Sequence, residues 1–125
     1  MQTRVLLSVK PEFAEAIFSG MKRFEFRRTI FRHDQIQKVY VYASRPICMV
    51  IGEFEVEQIL SSNPRSLWNT TKRASGISKK YFDEYFDGKK VAYAMKISSP
   101  RRYNEPLSLV EMFSISRPPQ SFMYV

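Results

Sequence analysis

Residues 6–28 read LLSVKPEFAEAIFSGMKRFEFRR, and the spacing within them predicts a strand, a helix, a glycine stop and a second strand. Lys10-Pro11 opens the helix, because proline suits the first helical turn, where its missing N–H costs nothing. Phe13, Ala14, Ile17 and Phe18 recur at three- and four-residue intervals, the pattern of one buried helix face. Gly20 stands where a left-handed residue ends a helix. In the next strand Phe24 and Phe26 share one face, while Arg23, Glu25 and Arg27 share the other. Burying the two phenylalanines leaves one carboxylate flanked by two guanidiniums, and Lys22 at the turn can lean over that charged face. For an arbitrary strand, such a face would be merely solvated.

The whole chain has 125 residues, a length suited to a single domain over 1–125 with one core. Its 44% hydrophobic content is ordinary for a folded protein and argues against disorder. Twenty Lys and Arg against twelve Asp and Glu give a net charge of +8, and the sequence pI is near 9.8. A small domain this basic is biased towards phosphate-bearing partners. One cysteine, Cys48, excludes an intramolecular disulfide and fits a reducing compartment. With His33 the one histidine, no His/Cys zinc site can be built, and neither a metal nor a cofactor is expected. No apolar run is long enough to span a bilayer, and MQTRVLLSV lacks the pattern of a signal peptide. By elimination the expected location is the cytoplasm, without a membrane partner.

Residues 4–9 read as a short apolar strand entering the helix. TIFRHDQIQ after Arg28 is polar and turn-like, and His33 within it reads as a loop residue. KVYVYAS, 38–44, is strand, ended by Arg45-Pro46. Ile47 to Ile59 reads as one long strand or two, with Gly52 a bulge or a point of close backbone approach. Glu53, Glu55 and Glu57 alternate along it. Residues two apart on a strand lie about 6.6–7 Å apart, too splayed for an obvious carboxylate metal site, so these acids read as a solvated face. Ser62 or Asn63, followed by Pro64, starts a helix burying Leu67 and Trp68. Ser78 caps another, SKKYFDEYFDG, in which Tyr81, Phe82, Tyr85 and Phe86 are spaced for core contact, and Gly88 closes it. VAYAMKI, 91–97, is strand, and Pro100, Pro106, Pro118 and Pro119 punctuate the rest of the chain. Periodicity does not settle LSLVEMF, 107–113, as strand or helix. Residues 122–125 alternate as a terminal strand. Composition alone places the chain in the α+β class.

The 6–28 segment resembles the signature of the ASCH domain family, a branch of the PUA-like superfamily. That signature is a basic-proline helix start followed by G-x-K-x-x-E-x-R, here Gly20, Lys22, Glu25 and Arg27. GISKKYFDEYFDG followed by a strand is also similar to this branch, and the downstream element order resembles it over nearly the whole chain. The resemblance implies a small PUA-like β-barrel of about six strands with two to three short helices packed around it. It also implies that Lys22, Glu25 and Arg27 line a cleft between barrel and helices.

Around these three the candidate site gathers Ser8 and Lys10 from the first strand and helix start, Tyr42 and Ser44 from the end of the third strand, and Gln120 and Ser121 from the C-terminal segment. Arginine and lysine hold phosphate, a carboxylate accepts from exocyclic amines or sugar hydroxyls, and tyrosine offers a stacking face. A Glu25 beside Arg23 and Arg27 is expected to stay ionised. Two classes compete: a non-catalytic RNA or nucleotide recognition module, reading a plain or modified base, and a small hydrolase. DNA is an open second partner, and the oligomeric state is open too. Some members resemble amidohydrolases acting on acylated cytidines, with a lysine at the position of Lys22 and a threonine where this chain has Glu25. A carboxylate cannot replace that hydroxyl as acyl acceptor without changing the mechanism. A ribonuclease reading also stands, with Lys22 as the better proton-transfer candidate than His33. Binding is the favoured reading.

Overall fold

A helix opened by proline and closed by glycine sits where the spacing places it, as α1, Pro11–Ser19, ending on Gly20 at φ 86°. The computed structural model describes residues 3–32 and 36–125, so His33 lies outside the described residues. The strands are β1 (Thr3–Val9), β2 (Phe24–Arg27), β3 (Ile36–Ala43), β4 (Met49–Ser62), β5 (Ala92–Leu107) and β6 (Phe122–Tyr124). The other helices are α2 (Pro64–Thr71), continued by a 3-10 turn, α3 (Lys79–Tyr85) and α4 (Leu109–Phe113).

One six-stranded sheet runs in the order β2-β5-β4-β3-β1-β6, with β1 and β3 its parallel pair. The sheet curls strongly. β4 and β5 pair through three register shifts, each adding bend and twist. Gly52 is needed at one of them: a Cβ there would lie 2.5 Å from the Phe18 ring and 2.6 Å from the Arg101 carbonyl oxygen. The outer strands β2 and β6 do not pair among the described residues, so the barrel stays half open. Arg27 of β2 spans the gap, donating to the Ser8 carbonyl of β1 at 2.8 Å and to the Ser121 hydroxyl beside β6 at 3.3 Å.

The expected small α+β fold is therefore present, with two changes. Four helices form among the described residues, not two to three. Ser108 caps the fourth, its side chain accepting from Glu111 N–H while the Glu111 carboxylate accepts from Ser108 N–H. β5 is also much longer than 91–97 and passes through Pro100 and Pro106. Proline is tolerated there because neither residue has a cross-strand partner in the β4–β5 register.

Three apolar clusters hold the layers together. α1 packs Ala14 and Ile17 on the sheet's concave side with Val5, Leu7, Val39 and Val41. Phe26, Leu67, Phe82 and Phe86 join β2 to α2 and α3. Leu6, Tyr40, Tyr42 and Val50 lie on the other face, closed by Leu109 of α4.

Candidate functional site

The alternation of β2 sends Glu25 and Arg27 to one side and Phe26 to the other, yet both sides are covered. Lys22 is 2% exposed, Glu25 5% and Arg27 9%. Their burial follows from the open seam of the barrel. α1, α3 and the segment leading into β6 all converge over β2 there, so the face that looked solvated becomes the wall of a cleft. Its volume is about 500 Å³.

At its floor the Glu25 carboxylate bridges two cations. Oε2 accepts from Arg27 at 2.8 Å, and Oε1 lies 3.6 Å from Lys22 Nζ. Lys22 Nζ also donates to the Ser75 carbonyl at 3.1 Å and sits 4.6 Å above the Phe26 ring centroid. Arg23 is exposed and forms no ion pair with Glu25, so the second cation on Glu25 is Lys22 instead. Burial lowers the Lys22 pKa, and the Glu25 charge opposes that shift without cancelling it. Arg27 uses both terminal nitrogens, while its buried Nε finds no partner among the described residues.

Ser8, Lys10, Ser44 and Gln120 line the same cleft, as does Ser121. The Ser8 hydroxyl donates to Pro119 at 2.7 Å, and its N–H donates to Ser121, which pins the C-terminal segment over the seam. Tyr42 is placed apart from this group, packed with Leu6 and Val50 on the sheet's other face. Burial first, and then the Cys48 thiol, raises its hydroxyl pKa.

Two expectations need correction. Tyr81 and Tyr85 are only half-buried: Phe82 and Phe86 fill the core at 1% and 2% exposure, Tyr85 packs at its edge, and both tyrosines line the cleft from α3. The signal lay in α3 carrying two aromatic stripes, of which the one bearing hydroxyls suits a wet boundary. Nor is Glu53 solvated. It is 8% exposed and held by Lys38 at 2.8 Å, Tyr103 at 2.8 Å and Arg101 at 3.0 Å. Burial pushes its pKa up, but these hydrogen bonds outweigh burial and the net shift is downward. Burial and the Glu53 contact raise the Tyr103 hydroxyl. Among the described residues, no group of three His, Cys, Asp or Glu is placed to hold a metal, and no helix is long and apolar enough to cross a membrane.

Comparison with known proteins places these features in a wider set. The model of the ASCH domain matches residues 7–101. An ASCH domain-containing ribonuclease of Zymomonas mobilis is 34% identical over 122 residues, 96% of this chain and 82% of that protein. The crystal structure of ASCH from Zymomonas mobilis superposes with a TM-score of 0.87 at 31% identity, covering 98% of this chain and 87% of that one. The N-terminal domain of Staphylothermus marinus McrB gives 0.55 at 12% identity, covering 89% and 81%, a likeness of fold alone.

Proposed function

Because the chain belongs to the ASCH domain family, we propose that it binds RNA and seats one nucleotide in the cleft between the curled sheet and α3. One observation carries this reading. Five basic side chains line the cleft (Lys10, Lys22, Arg27, Arg28 and Lys89), against the single carboxylate of Glu25. Lys22 and Arg27 are spoken for by Glu25, whereas Lys10, Arg28 and Lys89 form no ion pair with any described residue. Uncompensated cations around a concave site attract phosphate, and the rings of Phe13 and Phe26 give its inner wall the apolar surface a base needs. On the floor, Glu25 keeps lone pairs free beyond those used by its two cations, so it can accept from an exocyclic amine or a sugar hydroxyl. The net charge of +8 extends the attraction beyond the cleft.

A second reading, phosphodiester cleavage, is favoured by Lys22 itself and by the Zymomonas relative named a ribonuclease. A lysine whose proton is loosened by burial is suited to proton transfer. In that reading the neutral Lys22 amine takes the proton of a ribose 2′-hydroxyl. The 2′-oxygen bonds to the adjacent phosphorus, and the 5′-oxygen leaves and is protonated by water.

One experiment separates the two. Labelled single-stranded RNA is incubated with the wild-type protein, with Glu25→Gln and with Lys22→Ala, binding is read by anisotropy, and product size is read on a gel. Intact RNA bound by the wild type, and bound more weakly by Glu25→Gln at a temperature where melting shows that variant folded, supports recognition. Cleavage that is lost in Lys22→Ala supports the second reading. RNA that neither binds nor breaks at low salt overturns both.

A further inference from the structure

We propose that Tyr81 and Tyr85 form a stacking platform at the cleft mouth for the base adjacent to the one inside, with Lys10 and Arg28 holding the phosphate between the two. The proposal rests on the cleft reading above and extends it from a single nucleotide to a strand of at least two unpaired nucleotides. The two tyrosines stand one helical turn apart on α3, so their rings emerge on the same side. The rings are 6.1 Å apart and within 13° of parallel. Phe82 and Phe86 already fill the core beneath, and no described residue accepts from or donates to either tyrosine hydroxyl. Tyr85 also packs on the edge of that core and Tyr81 meets the Phe13 ring at 4.9 Å, yet both stay half-buried and line the cleft, so packing uses only part of each ring.

The cations beside them complete the pattern. Lys10 Nζ lies 5.1 Å from the Tyr81 ring centroid, and the Arg28 guanidinium lies 4.4 Å from that of Tyr85. Both cations are exposed and neither is held by a carboxylate. A solvated cation over a half-buried ring is a weaker contact than a stacked base. An arriving base therefore displaces the cation from the ring face. The long side chain swings aside but stays within reach of the strand, where a phosphate replaces the ring as its partner. Stacking of this kind tolerates any base and requires one that is unpaired, so duplex RNA does not fit.

The test compares a mononucleotide with a short single-stranded RNA on four proteins: wild type, Glu25→Gln, a Tyr81→Leu/Tyr85→Leu double variant and a Tyr81→Phe/Tyr85→Phe double variant. The leucine variant is expected to lose about five- to 150-fold in affinity for the strand while binding the mononucleotide like the wild type, which also reports an intact fold. The phenylalanine variant is expected to bind both normally. In the wild type, the tyrosine ring resonances should shift with the strand and not with the mononucleotide, a readout independent of any variant. Strand affinity unchanged in the leucine variant, with Glu25→Gln weakened for both ligands, overturns the platform and leaves the cleft reading standing. Mononucleotide affinity unchanged in Glu25→Gln overturns the cleft reading, and the platform with it. Equal losses for both ligands in the leucine variant, or a loss in the phenylalanine variant, also overturn the platform.

Discussion

Gly76 presses directly against Lys22: a Cβ built on Gly76 would lie 2.4 Å from the Lys22 Cβ and 2.8 Å from its Cα. The backbone just after the 3-10 turn thus forms the lid over the buried lysine, and the neighbouring Ser75 carbonyl accepts its ammonium. Gly76 also has φ +67°, a conformation that penalises any side chain.

Gly76→Ala is therefore expected to cost more than Gly20→Ala. Both positions have positive φ, but Gly20 has nothing within 4 Å of its would-be Cβ. The Gly20 change should cost about 1–2 kcal/mol, the penalty for a left-handed side chain. The Gly76 change should exceed that by the work of moving Lys22, and should weaken RNA binding as well. Thermal melting and RNA titration on both variants check this. Equal stabilities would mean that Lys22 is not held from this side.

Glu25→Gln leaves two buried cations facing a neutral amide, and breaking a buried pair in this way costs about 3–5 kcal/mol. The loss should depend on pH. The Lys22 pKa lies below its ordinary 10.5 in the folded protein, with burial the main cause and Glu25 opposing it. Removing Glu25 lowers that pKa further, so the variant's lysine sheds its proton at lower pH than the wild type's. Between those two values the wild-type protein binds more protons than the variant, and the variant's deficit must shrink as pH rises. Denaturant unfolding from neutral to alkaline pH measures it, and a constant deficit would show that Lys22 is not coupled to Glu25.

Glu53→Gln gives the opposite test on the far side of β4. The folded pKa of Glu53 lies below its ordinary 4.5, because hydrogen bonds from Lys38, Tyr103 and Arg101 outweigh the upward push of burial. Its contribution is therefore complete above about pH 4.5 and is lost as pH falls through the lowered folded value. The variant should be less stable by about 1–3 kcal/mol near neutral pH and should converge with the wild type in acid. A deficit that persists in acid would place the effect in packing instead of charge.

The residues that were legible are those whose signals are local. Pro11 and Gly20 bound α1, and Gly52 marks close approach, because backbone conformation and van der Waals contact act over a few residues. What alternation cannot say is which face stays wet. The glutamates of β4 alternate identically, yet Glu53 is enclosed by Arg101 and Tyr103 from a strand 48 and 50 residues further on. Glu25 and Arg27 are buried for the same reason, through the closing of a seam by segments distant in sequence. Spacing likewise separates the two aromatic stripes of α3 without saying which one the sheet will cover. The length of β5 was hidden by its prolines, whose positions outside the paired register are visible only once β4 lies alongside.

The most direct test of the account is the salt dependence of single-stranded RNA binding, measured by anisotropy from about 50 to 200 mM salt. The wild type is compared with a Lys10→Ala/Arg28→Ala/Lys89→Ala triple variant. Each phosphate contact to a single strand contributes about 0.7 to the slope of log affinity against log salt, so the triple variant should lose about 2 from that slope. Its melting temperature should stay near the wild type's, because all three side chains are exposed. A slope and an affinity unchanged by the three substitutions would contradict the claim that this cleft is where the protein meets RNA.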